Sequence, residues 1–258
     1  MTYNYDIIVV GAGHAGCEAS HAAARLGSKT LLITMDITKM AQMSCNPAVG
    51  GIAKGQIVRE IDAMGGAMGL VTDRSTIQFR MLNRSKGPAM WSPRAQCDRM
   101  LYSISWREIL ENTEELYIWQ DQVVSLLLEG NKVIGVKTQF QQEFYARAVI
   151  LTNGTFLNGK IFIGWQSTPG GRMGETPALG LSKQLLESGI QIERMKTGTP
   201  PRIDGRTVEF ASLQVQKGDV TPQKFSFLNT LSAIQEKQKQ MDCYMVYTNA
   251  AVHEKLRE

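Results

Sequence analysis

Apolar residues along the chain fall into short runs broken by glycine and polar turns. Tyr5 to Val10 is a compact β-branched run and predicts a buried strand. The Ala-rich stretch CEASHAAARL follows as a good helix former, closed by Gly27 as a C-cap. Thr30 to Thr34 then predicts a second buried strand, which completes a βαβ unit. Further on, Ile52 to Met64 and Arg94 to Glu111 read as helices. Val123 to Leu128 and Val133 to Thr138 flank the tight-turn sequence EGNK and predict a hairpin. Glu143 to Tyr145 adds a third strand, and Ala148 to Leu151 reads as another buried strand entering TNGTF. Pro177 to Glu187 predicts an amphipathic helix ended at Gly189, with a strand over Ile190 to Met195. From Val208 to Gln240 the composition turns polar and Gln-rich, which predicts a mobile stretch or an insertion. There is no internal repeat and no low-complexity tract.

The first βαβ unit carries the clearest chemistry. Gly11, Gly13 and Gly16 stand in G-x-G-x-x-G spacing directly after the strand. Gly11 permits the tight turn, Gly13 admits a pyrophosphate close to the backbone, and Gly16 lets helix and strand pack. The helix N-terminus then offers free N–H groups and a positive dipole to phosphates. Residues Gly11, Ala12, Gly13, His14, Ala15 and Gly16 are therefore the expected dinucleotide cradle, His14 serving to start the helix. The acid expected to bind a ribose hydroxyl is absent from the usual end of the second strand, or displaced to Asp36.

Composition alters this picture little. Over 258 residues, 43% are hydrophobic and 20% charged, as in an ordinary soluble globular protein with room for one large domain or two modest ones. Net charge is +4, but the cations are unevenly placed. Arg74, Arg80, Arg84, Lys86, Arg94, Arg99 and Arg107 face a single acid, Asp98, in that stretch. As a cluster they point to anion binding; singly, each serves equally well as a contact to a polyanionic partner or, alternatively, as a cofactor-phosphate contact or the solvated face of a helix. Trp106 falls in the predicted helix and reads as core, whereas Trp91 lies in a loop. Cys17, Cys45, Cys97 and Cys243 are far apart and form no CxxC pair. With no signal peptide and no apolar run of membrane-spanning length, they read as reduced thiols of a cytosolic protein. His14, His21 and His253 have no metal-ligand spacing, which argues against metal catalysis.

A strand meander followed by an apolar strand and a T-x-G turn resembles the FAD enzymes with two dinucleotide-binding domains, in which the meander is inserted into the flavin domain. The fold class implied is α/β, a Rossmann-like FAD-binding domain with an inserted β-meander. By that resemblance Val123 lies at the adenine end, and Asn153 and Gly154 on the flavin side. A plain surface hairpin is the alternative. FAD is favoured over NAD as the resident cofactor. The longer strings NPAVGGIAKGQIVREIDAMGGAMG, QFRMLNRSKGPAMWSPRAQCDRMLY and KTGTPPRIDGRT resemble the glucose-inhibited division protein A family, also called the MnmG family, over essentially the whole chain.

That resemblance implies a tRNA-modifying enzyme. Members act with a GTPase partner, MnmE, at C5 of the wobble uridine, installing an aminomethyl or carboxymethylaminomethyl group with FAD, NADH and methylene-tetrahydrofolate. It also implies a cytoplasmic homodimer. Arg80, Arg84, Lys86 and Arg94 become candidate RNA contacts by counterion release, and the Gly-Gly-Arg and Thr-Gly-Thr-Pro-Pro turns are expected to face the cleft. Residues 1–200 are read as the FAD-binding domain, with the meander at about 116–146, and 201–258 as the start of an incomplete NADH-binding-type domain. Family members carry a later flavin-contacting segment, a helical C-terminal region and a second cysteine in a Cys-Pro-Ser motif. None is found here, so the sequence reads as a fragment, expected to be inactive alone and to hold FAD weakly.

Cys45 is the leading catalytic candidate. It sits in QMSCNPAVGGIAKG, after the second strand, where a loop is directed at the flavin. Pro47 and Gly50-Gly51 are expected to begin a helix whose N-terminus activates the thiol; the alternative is a buried, inert cysteine. Three other functions compete. A flavin-dependent disulfide reductase would need a second cysteine near Cys45. A folate- and FAD-dependent tRNA uracil-5-methyltransferase shares the nucleotide fold but lacks the long strings. A non-catalytic nucleotide-binding module fits the basic, Gly-rich middle segment poorly.

Overall fold

Two successive βαβ crossovers organise the chain. In the computed structural model, which describes residues 3–228, 232–237 and 239–257, β1 (Tyr3–Val10) leads through α1 (His14–Arg25) to β2 (Thr30–Thr34). The chain then builds β3 (Ala48–Gly50), α2 (Gly55–Ala63), α3 (Met68–Ser75), β4 (Thr76–Leu82) and β5 (Ser92–Cys97) before α4 (Arg99–Glu111) returns it to the sheet as β6 (Leu116–Gln120). A meander follows: β7 (Val123–Glu129), β8 (Lys132–Thr138) and β9 (Glu143–Leu151). Beyond it lie the hairpin β10 (Lys160–Ile163) and β11 (Gln166–Pro169), α5 (Leu181–Glu187), β12 (Gln214–Gln216), α6 (Ala233–Lys237), β13 (Cys243–Met245) and α7 (Ala250–Lys255).

The main sheet has the order β6-β2-β1-β9-β8-β7. Its first four strands are parallel, with Ile8 opposite Leu31 and Val149, and Leu32 opposite Ile118. Parallel strands are covered on both faces, which is why they read as unbroken apolar runs. On one face Val9 and Leu32 pack with Cys17 of α1 and with Tyr102, Trp106 and Leu110 of α4. On the other, Ile8, Val10, Leu31 and Ile33 pack with Val123, Val136 and Phe144 of the meander. Each fully buried aliphatic side chain contributes roughly 1.5–3 kcal/mol.

Several sequence expectations need correction. Glu143 to Leu151 is one strand, not two: its start pairs antiparallel with β8, Tyr145 opposite Gly135, while its length runs parallel to β1. The helix expected from Ile52 begins only at Gly55, because Ala48–Gly50 pairs as β3 with β5. Arg94 lies in that middle strand β5 and not in a helix; α4 starts at Arg99, where Asp98 caps it by accepting the N–H groups of Met100 and Leu101. α5 starts at Leu181, four residues late, since Gly180 turns with φ +97°. Residues 190–195 form no strand.

Nor is the polar stretch from Val208 to Gln240 loose over its described part; residues 229–231 and 238 lie outside the described residues. Phe225, Ser226 and Ile234 are buried. The N–H groups of Phe225 and Ser226 donate to the Asp73 carboxylate at 2.8 and 2.9 Å, and that of Phe227 to Asp62 at 2.7 Å. Met81 of β4 donates to Asp219 at 2.8 Å. A few buried anchors in a polar segment hold it without leaving any periodic pattern.

Candidate dinucleotide and thiol site

The carboxyl ends of β1, β2 and β9 meet at one edge of the sheet, the edge where open α/β sheets place their ligands. Gly11 closes the turn after β1 with φ +98° and donates to Ile33 O at 2.8 Å. A Cβ on Gly11 would stand 2.7 Å from Thr152 O, and one on Gly16 would stand 1.7 Å from Gly11 O. Both positions are closed to any side chain. Gly13 differs: nothing lies within 4 Å of where its Cβ would be. It is also the N-cap of α1, with no side-chain cap and no acid in the first turn. Open space, an uncapped helix start and free N–H groups together fit a pyrophosphate. Gly13 and Ala15 are exposed on this side, while Ala12 is buried. Ala12 O accepts from Ala41 N at 2.8 Å, tying the cradle to the loop after β2.

His14 begins α1, as expected, and packs against the Tyr102 ring with centroids 5.5 Å apart. Burial lowers its pKa, so the imidazole is neutral at pH 7. Thr152, which the sequence reading passed over, directly follows β9, with its hydroxyl between Val10 O at 2.8 Å and Gly11 O at 2.9 Å. The TNG string was its only signal.

The remaining cofactor candidates are placed less openly. Asp36 accepts from Thr38 N at 2.8 Å and Thr38 Oγ1 at 2.6 Å and pairs with Lys39 at 3.3 Å. The Thr38 hydroxyl bond is the main reason its pKa is lowered. This carboxylate is ionised and already engaged. Val123 is 3% exposed, with its side chain in the core and its backbone at a position paired with Thr138 of β8. Asn153 O accepts from Phe156 N at 3.2 Å, and Gly154 follows with φ +57°.

Two distant turns converge on the loop that carries Cys45. Arg172 Nη1 donates to Gln42 Oε1 at 2.5 Å, with Ser44 Oγ at 3.4 Å, while Nη2 pairs with Glu175 at 2.9 Å. Glu175 also holds Lys39 at 3.2 Å. Arg202 Nη2 donates to Cys45 O at 2.7 Å and lies 3.4 Å from Ser44 O. The Thr199 hydroxyl sits 3.7 Å from Cys45 Sγ. Cys45 itself is half-buried. No helix follows it directly, since β3 intervenes and α2 starts at Gly55; the expected helix-terminus activation of the thiol is not what this geometry provides. Cys17 and Cys97 are buried, and burial pushes both thiols up to about 12.

Within the basic segment three arginines are paired with carboxylates. Arg74 pairs with Glu108 at 2.6 Å, Arg84 with Asp219 at 2.8 Å and Arg107 with Glu111 at 2.6 Å. Lys86 is exposed in a short turn after β4. Arg80 and Arg94 stand opposite each other on β4 and β5. Trp106 is wholly buried, whereas Trp91 is 40% exposed and donates to Arg84 O at 3.3 Å. Among the described residues no cluster of His, Cys, Asp or Glu is placed to hold a metal, and no helix is long and apolar enough to cross a membrane.

A parallel sheet with a glycine cradle at its carboxyl edge and a meander joined to its last parallel strand defines a Rossmann-like dinucleotide-binding fold of the flavoprotein type. The chain belongs to the glucose inhibited division protein A family, whose family model matches residues 6–258. It is 62% identical over its whole length to the tRNA uridine 5-carboxymethylaminomethyl modification enzyme MnmG of Parabacteroides distasonis, and spans 41% of that relative. It is 55% identical over 98% of its length to the enzyme of the same name from Flavobacterium johnsoniae, spanning 40% of it. The structure of Aquifex aeolicus GidA superposes with a TM-score of 0.91 at 46% identity, covering 98% of this chain and 43% of that one.

Proposed function

We propose that the chain is the dinucleotide-binding and thiol-bearing part of a tRNA-modifying enzyme. In this reading it acts at C5 of the wobble uridine, in the cytoplasm, as a homodimer with the GTPase MnmE, and takes NADH and methylene-tetrahydrofolate as co-substrates. The single observation that carries the reading is the shared edge: the open, uncapped start of α1 at Gly13 and the loop of Cys45, joined by the Ala41–Ala12 hydrogen bond. Residues 1–200 form the FAD-binding domain, and 201–258 begin the NADH-binding-type domain.

Gly11 to Gly16 would hold the FAD pyrophosphate, and Asn153 and Gly154 would lie on its flavin side. Bound FAD supplies hydride transfer. The protein's own contribution is nucleophilic: the Cys45 thiolate adds to C6 of the uracil ring, and the displaced electron pair makes C5 nucleophilic towards the one-carbon unit. Elimination of the thiolate with loss of the C5 proton restores the ring. Arg202 and Thr199 position the thiol. The Sγ contact to a threonine hydroxyl, with no cysteine beside it, favours this chemistry over disulfide reduction.

Flavin titration of the purified protein tests the cradle. FAD binds the wild type weakly but saturably, and Gly13→Asp, which sets a carboxylate where the pyrophosphate belongs, weakens binding at least tenfold with an unchanged circular dichroism spectrum. Equal affinity in the variant would place the cofactor elsewhere.

A further inference from the structure

The three-stranded sheet β3-β5-β4 has an apolar face and a polar one. Phe79, Met81 and Ala95 point into the core. The alternate residues Gln78 and Arg80 on β4, with Gln96 and Arg94 on β5, form the other face; Arg80 stands directly across from Arg94 and Gln78 across from Gln96. Like charges directly opposite one another on adjacent strands destabilise a sheet.

No carboxylate among the described residues pairs with either arginine. Arg94 Nη2 donates only to amide oxygens, Gln78 Oε1 at 3.2 Å and Gln216 Oε1 at 3.4 Å. The Nε atoms of both arginines are buried and have no hydrogen-bond partner. Burial, and to a lesser degree the charge of Arg80, lowers the pKa of Arg94. Gln78 is fixed from behind by donating to Gln216 O at 2.9 Å and Met241 O at 3.0 Å, and Cys243 Sγ donates to its Oε1 at 3.3 Å. The two arginines thus stand at facing register positions on neighbouring strands, with both Nε atoms buried, amides beside Arg94, and no carboxylate among the described residues paired with either.

We infer that Arg80 and Arg94 form a phosphate-binding seat, separate from the glycine cradle. Two fixed positive charges match the dianion of a terminal phosphate, and the planar fork of arginine binds phosphate oxygens in pairs. Arg84 and Lys86, exposed nearby in sequence, do not share this setting: Arg84 is neutralised by Asp219 and Lys86 is solvated. The phosphate comes either from a small nucleotide ligand or from the backbone of an RNA substrate. The inference stands on this sheet alone and does not depend on the FAD or thiol roles.

The test uses the purified protein with inorganic phosphate as the probe, at constant ionic strength held with chloride. Phosphate in the millimolar range raises the thermal midpoint of the wild type by several degrees. Arg80→Gln and Arg94→Gln each abolish that rise, and in phosphate-free buffer melt no lower than the wild type because the opposed charges are relieved. Arg80→Lys keeps a response weakened about tenfold, and a Lys86→Gln control keeps all of it. A wild type indifferent to phosphate, or a response that survives Arg80→Gln and Arg94→Gln, would falsify the seat. A parallel arm with a 17-nucleotide anticodon stem–loop identifies the source. Competition between this RNA and phosphate, with at least tenfold weaker RNA binding in Arg94→Gln, marks an RNA phosphate; RNA binding unaltered by Arg94→Gln marks a small phosphorylated ligand.

Discussion

Arg202 donates its guanidinium to the carbonyl oxygen of Cys45 at 2.7 Å across 157 positions of sequence. The contact fixes the backbone that carries the thiol, and the Thr199 hydroxyl approaches the sulfur from the same segment at 3.7 Å. Removing the clamp frees the loop. Arg202→Ala is expected to raise the iodoacetamide alkylation rate of Cys45 severalfold, with Arg202→Lys between it and the wild type. An unchanged rate would remove Arg202 from the positioning of the thiol.

The four cysteines should separate into two classes. Cys17 and Cys97 are buried with thiols pushed up to about 12, so neither forms thiolate near neutral pH. Cys45 and Cys243 are half-buried. Titration of the native protein with an aromatic disulfide reagent should count two reactive thiols, and four after denaturation. Mass mapping that finds Cys17 or Cys97 labelled in the native protein would contradict the packing of α1 and β5.

Gly16 has no room for a methyl group, since the added atom would fall 1.7 Å from Gly11 O. Gly16→Ala must push α1 away from the turn, and overpacking of this kind destabilises by roughly 1–3 kcal/mol. Urea denaturation followed by circular dichroism should record that loss, while Gly13→Ala, entering open space, leaves the midpoint within experimental error. Equal effects from the two would mean that α1 is not packed on β1 as described.

How far the sequence could be read follows from the range of its interactions. β1, α1 and β2 are legible in the sequence, β2 to the residue and β1 two residues short at its start, because strand, glycine spacing and helix are consecutive and each enforces the next. β5 was misread as the start of a helix, since Arg94, Ala95 and Gln96 are good helix formers; tertiary pairing with β3 and β4 overrides that propensity, and the Asp98 cap was the local sign of where α4 begins. β9 looked like two strands because β8 flanks only its start, at Glu143 to Tyr145, whereas β1 pairs with it from Phe144 to Leu151. The clamps on the Cys45 loop come from Arg172 and Arg202, more than a hundred residues away. Their turns were expected at the cleft, but no periodicity names the atoms they hold.

Asp73 should reveal itself by pH. It is 3% exposed and accepts two backbone N–H groups; burial outweighs those bonds and raises its pKa to about 6. The unfolded value is about 3.9. The folded state therefore binds the proton more tightly, and Asp73's contribution to stability is greatest below pH 4 and declines as pH rises through 6. Measured against Asp73→Asn, the wild type should lose on the order of 2 kcal/mol between pH 4 and pH 7. A difference that is flat, or that grows with pH, would show that the carboxylate stays ionised beneath Phe225 and Ser226.

If the dinucleotide cradle and the Cys45 loop form one tRNA-modifying site, the wobble uridine of cellular tRNA reports it. In cells whose only copy of the gene carries Cys45→Ser, nucleoside analysis should show loss of the C5-modified wobble uridine and accumulation of the unmodified base, with the variant protein folded and present at normal level. A nucleoside profile identical to the wild type would contradict it.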